Sequence, residues 1–179
     1  MQDRVFESFL WKQLDEGRAL AAASDIVDLL PLGGPPPQHY IANFHCRGLV
    51  RSRDGEIREW DEFTAGIYFP PTYLRQADPF AMLRWFGPPS EQHPDIVVWH
   101  PNIAVHAPLI CIGRIAPGMS LKDLLHQLYE VITYQRYTPN EFDSLNKPCC
   151  AWARANADRF PTDRRPLKRR TLNLEAGQP

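Results

Sequence analysis

Eighteen prolines divide this chain of 179 residues into short segments and limit where helices and strands can run. Proline fixes the φ angle and removes a backbone N–H donor, so clusters of proline mark turns and irregular stretches. Such clusters lie at residues 31–37, 70–71 and 88–89, and prolines recur through residues 94–117. Residues 87–117 are therefore expected to hold no continuous regular structure.

The N-terminal segment has the periodicity of an amphipathic helix. Phe6, Leu10 and Leu14 recur every four residues, with charged residues between them. Side chains at this spacing share one face of a helix, so the pattern predicts a helix over residues 3–23 that packs on the domain by one stripe.

Two further helices are predicted in the C-terminal half. Ser120 followed by Asp123 is a capping box, and the leucines after it predict a central helix over residues 121–134. A final helix is predicted over residues 145–157, with Pro148 in its first turn, where proline is tolerated.

Four segments between the helices are rich in strand-forming residues. They are residues 25–32, 40–50, 60–69 and 80–86. A turn at residues 53–56 joins the second to the third, which predicts a four-stranded antiparallel meander. The order of elements predicts an α+β fold, with a single domain at residues 1–160 and a basic, flexible tail at residues 161–179.

Composition excludes several classes of partner. The formal net charge of -1 argues against a general nucleic-acid binder. No apolar run approaches the roughly 20 residues that cross a bilayer, so no membrane partner is expected. The acidic N-terminus does not resemble a signal peptide, and the four cysteines suggest neither a zinc site nor a disulfide framework, so we expect a cytoplasmic protein with reduced thiols.

Residues 100–113 hold a His-Pro-Asn tripeptide, a short loop and an Ile-Cys-Ile step centred on Cys111. This segment resembles the active-site segment of ubiquitin-conjugating enzymes, which read His-Pro-Asn, then a few residues, then Ile-Cys-Leu. Residues 63–73 resemble the third strand and Phe-Pro turn of that family, and residues 138–145 resemble its Asp-Pro-Asn-x-x-Asp-Pro-Leu loop. The resemblance covers residues 40–157 and implies the ubiquitin-conjugating fold.

The sequence also departs from the pattern of this family. The loop between Asn102 and Cys111 is one residue longer, Gly113 stands where the family has aspartate, and Met119 stands where it has tryptophan. Divergence of this kind suggests a bacterial ubiquitin-like conjugation system, in an antiviral defence setting.

The resemblance implies a transferase that carries a ubiquitin-like protein as a thioester on Cys111. Its partners would be that ubiquitin-like protein, an activating enzyme and a target protein, and it would need no cofactor because ATP is consumed upstream. A thiolate is the nucleophile that this chemistry needs. Without the motifs, Cys111 would be interpreted as a small buried core residue.

Two other residues are predicted to act in transfer. Asn102 resembles the family asparagine that donates to the developing oxyanion, although an asparagine there could equally satisfy loop backbone groups. Asp143, 32 positions after Cys111, could orient or deprotonate an attacking amine, or could simply cap the final helix. His100 is predicted to be structural, and Phe142 is predicted to be a packing residue.

Other interpretations remain open. The chain could be a binding module with the same fold and no catalysis, which the altered residues around Cys111 would favour. A papain-like hydrolase lacks its Cys-Gly-x-Cys signature here. His93, His100 and His106 match no common zinc spacing, so no metal is predicted, and Cys149 and Cys150 are predicted to be core residues.

Overall fold

The computed structural model describes residues 3–88 and 91–169. Its elements in chain order are α1 (Arg4–Ala22), β1 (Val27–Leu32), β2 (His39–Phe44), β3 (Gly48–Ser52), β4 (Ile57–Trp60), β5 (Phe63–Tyr68), α2 (Pro79–Met82), β6 (Leu83–Gly87), β7 (Ile96–Val98), α3 (Leu121–Ile132) and α4 (Lys147–Ala155). A short 3-10 turn follows at Ala157–Arg159. The predicted α+β class is confirmed, with an N-terminal helix, antiparallel strands and two C-terminal helices.

The strands form two antiparallel sheets. The larger sheet has the order β1-β2-β5-β6, and the smaller has the order β4-β3-β7. The predicted second strand is interrupted after β2 and resumes as β3. The predicted third strand corresponds to β5, and β4, which shares only Trp60 with it, was not predicted as a separate strand. The predicted turn between β3 and β4 is present, with Gly55 N donating to Ser52 O at 3.0 Å. The predicted single meander is thus divided between two sheets.

The predicted fourth strand and the irregular segment both needed correction. Residues 79–82 form the single turn α2, which Asp78 caps by accepting from Phe80 N at 3.0 Å, and the strand begins only at Leu83. Within the proline-rich segment, β7 pairs with β3, Val98 lying opposite Val50. A strand of only three residues fits between prolines 94 and 101. The high proline content of the segment therefore gave no sign of it.

Helices α1 and α3 pack together and supply much of the core. The predicted stripe of Phe6, Leu10 and Leu14 is buried. The buried Gln13 of α1 accepts a hydrogen bond at 2.7 Å from the N–H of Leu121, a group at the start of a helix that has no partner within the helix. This contact fixes the start of α3 against α1.

A second, smaller core lies beneath the His-Pro-Asn segment. Trp99, Tyr134 and Cys149 are buried there, and Phe160 stacks on Tyr134 with ring centroids 4.2 Å apart. Cys149 and Cys150 are both buried in α4, as predicted. Burial raises the pKa of the Cys149 thiol to about 12.

Residues 161–169, the first part of the predicted tail, lie against the domain. Asp163 is fully buried and accepts from Arg47 N at 3.0 Å, and Leu167 is also buried. Arg169 N donates to Ala23 O at 2.9 Å. The basic composition of this segment suggested that it is exposed to solvent. Its contacts with Arg47 and Ala23, more than a hundred positions away, cannot be predicted from local sequence. Residues 170–179 lie outside the described residues.

Candidate active site

Cys111 lies at the surface between two buried isoleucines. Ile110 and Ile112 are buried, whereas Cys111 is partly exposed. Side chains alternate between the two faces of an extended segment, so the isoleucines that anchor the segment in the core turn the thiol outward. Of the four cysteines, Cys111 alone is not buried, and all four are free thiols.

The loop before Cys111 doubles back on itself. Ile103 and Ile110 form an antiparallel bridge, and Cys111 N donates to Asn102 O at 2.8 Å. Residues 104–109 project from this bridge as a short loop. The fold therefore brings Asn102 beside Cys111, as the sequence motif implied.

The side chain of Asn102 bonds to two separate segments. Its Nδ2 donates to Cys111 O at 2.9 Å, and its Oδ1 accepts from Thr138 N at 2.8 Å. An amide nitrogen carries two hydrogens, so one N–H remains for a further acceptor. The contact with Thr138 was not predicted, since nothing in the sequence marks that backbone group.

His100 is buried behind this segment. Its Nδ1 accepts from Asn102 N at 3.0 Å, and its ring packs on Tyr134 with centroids 4.3 Å apart. Burial lowers the pKa of His100 to about 3, so the ring is neutral at physiological pH. This arrangement agrees with the predicted structural role. Tyr134, which adopts a φ angle of 59°, is a supporting residue that the sequence did not reveal.

The loop at residues 138–146 is tied to the His-Pro-Asn segment at both ends. Thr138 N bonds to Asn102, and at the other end Ser144 Oγ and Leu145 N both donate to Pro101 O at 2.9 Å. Asn146 caps α4 by accepting from Cys149 N at 3.2 Å. The alternative interpretation of Asp143 as the cap of this helix is therefore wrong.

Asp143 is exposed on this loop. Its Oδ2 accepts from Asn140 Nδ2 at 2.9 Å. The neighbouring acid, Glu141, is paired with Arg154 at 2.5 Å. Asp143 forms no ion pair within the described residues. The two acids of the loop therefore differ, because one carboxylate is neutralised and the other faces solvent.

The chain turns at Gly113, the residue that stands where the family sequence pattern has aspartate. Gly113 has a φ of 90°, a left-handed value that glycine adopts without strain. Arg136 Nη2 donates to Ile112 O at 3.2 Å, and a Cβ on Gly113 would lie 3.2 Å from the same nitrogen. Arg136 thus occupies the space beside the residue that replaces the family aspartate.

Neither a metal-ligand cluster nor a membrane-spanning helix is found in the part of the chain that the structure describes. Over residues 3–88 and 91–169, no group of three His, Cys, Asp or Glu side chains is placed to hold a metal ion. Over the same residues, no helix has the length and apolar character to span a bilayer.

Solved structures with a similar fold are ubiquitin-conjugating enzymes. One is the ubiquitin conjugating enzyme Pex4p of H. polymorpha, solved in complex with the soluble domain of Pex22p; it has a TM-score of 0.54 and 17% identity, over 84% of this chain and 88% of that one. Another is a ubiquitin-conjugating E2 domain of Toxoplasma gondii, with a TM-score of 0.50 and 16% identity, over 84% of this chain and 90% of that one.

The chain has the ubiquitin-conjugating fold. No protein-family model matches the sequence, and no curated protein is significantly similar to it. At 16% to 17% identity, the likeness to ubiquitin-conjugating enzymes concerns the fold. The roles of Cys111, Asn102 and Asp143 remain predictions that rest on their chemistry and placement.

Proposed function

We propose that this protein is a ubiquitin-like protein conjugating enzyme that carries its cargo as a thioester on Cys111. The observation that supports this most strongly is the exposure of one thiol, Cys111, directly beside Asn102 in a ubiquitin-conjugating fold. The other three thiols are buried, where neither a protein thioester nor an amine could reach them.

Loading is a thiol exchange. The thiolate of Cys111 attacks the carbonyl carbon of the thioester that an activating enzyme presents, a new C–S bond forms, and the activating enzyme leaves as a thiolate. The surface position of Cys111 suits this step, because both proteins must approach the sulfur. No cofactor is consumed in the exchange.

Transfer needs an oxyanion donor and a partner for the amine. The free N–H of Asn102 is proposed to donate to the carbonyl oxygen as negative charge develops, a contribution that is typically about 3 kcal/mol for one donor. Asp143 is proposed to accept a proton from the attacking amine or to orient it. Its lack of a cationic partner in the described residues leaves the carboxylate free to do so.

A binding module without catalysis is the second candidate. The observation that favours it is the segment after Cys111, where Gly113 stands in place of the acidic residue of the family pattern and Arg136 lies beside it. A module of this kind would bind a ubiquitin-like protein or another protein partner without forming a bond to it. The two candidates differ in one measurable property, the covalent adduct.

A reconstituted reaction separates the two candidates. The chain is incubated with ATP, its cognate activating enzyme and the ubiquitin-like protein, and the products are run on a non-reducing gel. We expect a thiol-sensitive adduct on the wild type, a thiol-resistant adduct on Cys111→Ser and none on Cys111→Ala. Cys46→Ala, which removes a buried thiol elsewhere, should still form the adduct. Absence of any adduct with an active upstream enzyme would favour the binding module.

A further inference from the structure

A groove lies between α3 and the C-terminal segment at residues 161–168. Its volume is about 520 Å³, which is in the range of natural ligand sites. Its charged lining comes from Arg164, Arg165 and Lys168 of the segment and from Glu130 of α3. We call it the basic groove, because three of the described residues that line it are permanently cationic and one is acidic.

Two of the three cations in the basic groove are free to bind an outside group. Arg165 is not, because its Nη2 pairs with Oδ2 of the buried Asp163 at 2.7 Å. The side chains of Arg164 and Lys168 are exposed, and neither forms an ion pair or a hydrogen bond within the described residues.

The one acid that lines the basic groove does not neutralise these two cations. Glu130 Oε2 is paired with Arg136 Nη1 at 3.5 Å. The groove therefore presents two positive charges without a counter-charge from the described residues. Such a surface is complementary to a negatively charged ligand.

The backbone that carries the two free cations is held in place. Thr162 N donates to Thr133 O at 2.9 Å, and Ser24 Oγ donates to Leu167 O. The segment is thus bonded to the domain close to each cation in the sequence. A surface that is already ordered loses less conformational freedom when a ligand binds.

The remaining lining favours a peptide over nucleic acid or a free phosphate. Pro161 and Pro166 place apolar surface beside the cations, which suits an apolar side chain. The tyrosine of the groove, Tyr129, is only 3% exposed, so its ring offers a nucleic-acid base no surface for stacking. A volume of about 520 Å³ is many times the roughly 30 Å³ of one water molecule, and far more than one phosphate would fill.

We propose that the basic groove binds an acidic peptide segment of a partner protein. Its carboxylates would pair with Arg164 and Lys168, and an apolar side chain between them would pack on Pro161 and Pro166. This inference goes beyond the proposed function and does not depend on it. None of the residues proposed to act in transfer lines the groove, so either proposal can fail alone.

The test measures peptide binding to the full chain by fluorescence anisotropy. The probe is fluorescein-labelled Gly-Asp-Glu-Leu-Asp-Glu-Gly, and the matched neutral probe is Gly-Asn-Gln-Leu-Asn-Gln-Gly. The groove variant carries Arg164→Ala and Lys168→Ala. The control variant carries Lys12→Ala and Arg53→Ala, which remove two exposed cations that do not line the groove.

We expect the wild type and the control variant to bind the acidic probe, and the groove variant to bind it about tenfold more weakly. The neutral probe should bind to none of them, and binding of the acidic probe should weaken as NaCl is raised. A reversed variant with Arg164→Glu and Lys168→Glu should bind Gly-Lys-Arg-Leu-Lys-Arg-Gly instead, a gain that misfolding could not produce.

Equal affinities of the groove variant and the control variant would overturn the inference, as would the absence of saturable binding by the wild type. Three other results would overturn it in favour of another occupant. Tighter binding of a single-stranded RNA oligonucleotide than of the acidic probe would indicate nucleic acid. Complete displacement of the probe by inorganic phosphate at constant ionic strength would indicate a free anion. Self-association of the wild type that the groove variant abolishes would indicate a second copy of the chain.

Discussion

The side chain of Asn102 links its own loop to Thr138, which lies 36 positions further along the chain. It donates to Cys111 O and accepts from Thr138 N, and it is nearly buried. Asn102→Ala would leave both backbone groups without these partners. We expect a loss of about 2 kcal/mol in the free energy of unfolding, measured by urea titration.

The same variant should also slow transfer. Loss of an oxyanion donor typically reduces the rate of acyl transfer by about a hundredfold or more. Single-turnover discharge of the loaded enzyme to lysine, compared with the formation of the adduct, measures this step by itself. Discharge at the wild-type rate would leave Asn102 with a structural role only.

His100 should make the free energy of unfolding depend on pH between about pH 6.5 and pH 3. Its pKa is lowered by burial to about 3, whereas in an unfolded chain a histidine has a pKa of about 6.5. Below about pH 6.5 His100 is protonated in the unfolded chain but stays neutral in the folded chain. Stability from the buried neutral ring is therefore lost as pH falls from about 6.5 towards 3.

The measurement is the slope of unfolding free energy against pH. In the wild type this residue should contribute about 1.4 kcal/mol for each pH unit between about pH 6 and pH 4. His100→Asn, which keeps a side-chain acceptor near Asn102 N, should lack that contribution. Equal slopes for the two proteins would show that the ring is not held neutral in the folded state.

Among single residues, the features that could be predicted from the sequence are those set by neighbouring residues. The exposure of Cys111 follows from its place between Ile110 and Ile112, and the neighbouring asparagine follows from the motif. The sequence did not predict the exposure of Phe142 or the pairing of Glu141 with Arg154. Both depend on where α4 lies relative to the loop, which no nearby residue specifies.

Among elements, the three longer helices α1, α3 and α4 were predicted within about two residues, because periodicity and caps are local signals, whereas the single turn α2 was predicted as strand. Helix α3 was expected at 121–134 and spans Leu121–Ile132, capped by Ser120 as predicted. The strands were predicted too long, because the break after β2 depends on distant contacts. Arg47 lies in that break, and its N–H and carbonyl bond to Asp163 and Thr162 respectively.

The start of β3 has no room for a side chain. A Cβ on Gly48 would lie 2.6 Å from the ring of Phe63 and 2.9 Å from the backbone oxygen of Ile132. We expect Gly48→Ala to lower the free energy of unfolding by about 1–3 kcal/mol. Gly34→Ala is the matched control, since nothing lies within 4 Å of its Cβ. Similar stability of the two variants would contradict this account of the close packing at Gly48.

The segment at residues 161–169 is held to the domain by a buried carboxylate. Burial alone raises the pKa of Asp163, but hydrogen bonds from Arg165 and from the N–H of Arg47 outweigh it and hold the pKa at about 2. The pKa is thus below that of an unfolded aspartate. The stability it contributes is present above about pH 4 and lost as pH falls towards 2.

Asp163→Asn should lower the free energy of unfolding by about 2 kcal/mol at neutral pH. The difference from the wild type should shrink as pH falls from about 4 to 2, because the wild-type carboxylate is then protonated. Urea titrations of both proteins at several pH values measure it. A difference that stays constant over this window would show that the carboxylate is not ionised in the folded protein.

At the scale of the whole molecule, the chain has the ubiquitin-conjugating fold at 16% to 17% identity, and one of its four thiols, Cys111, is partly exposed. The motifs at residues 100–113 and 138–145 suggested this fold from the sequence, and the structure joins them through Asn102. The division into two sheets and the packing of residues 161–169 were not predicted, because both depend on contacts between residues far apart in the sequence.

The most direct test of the account is the intact mass of the protein after incubation with ATP, its activating enzyme and the ubiquitin-like protein. We predict a mass increase equal to the ubiquitin-like protein less one water, removed by hydroxylamine in the wild type and absent from Cys111→Ala. An unchanged mass, or an increase that persists in Cys111→Ala, would contradict the assignment of Cys111 as the acyl carrier.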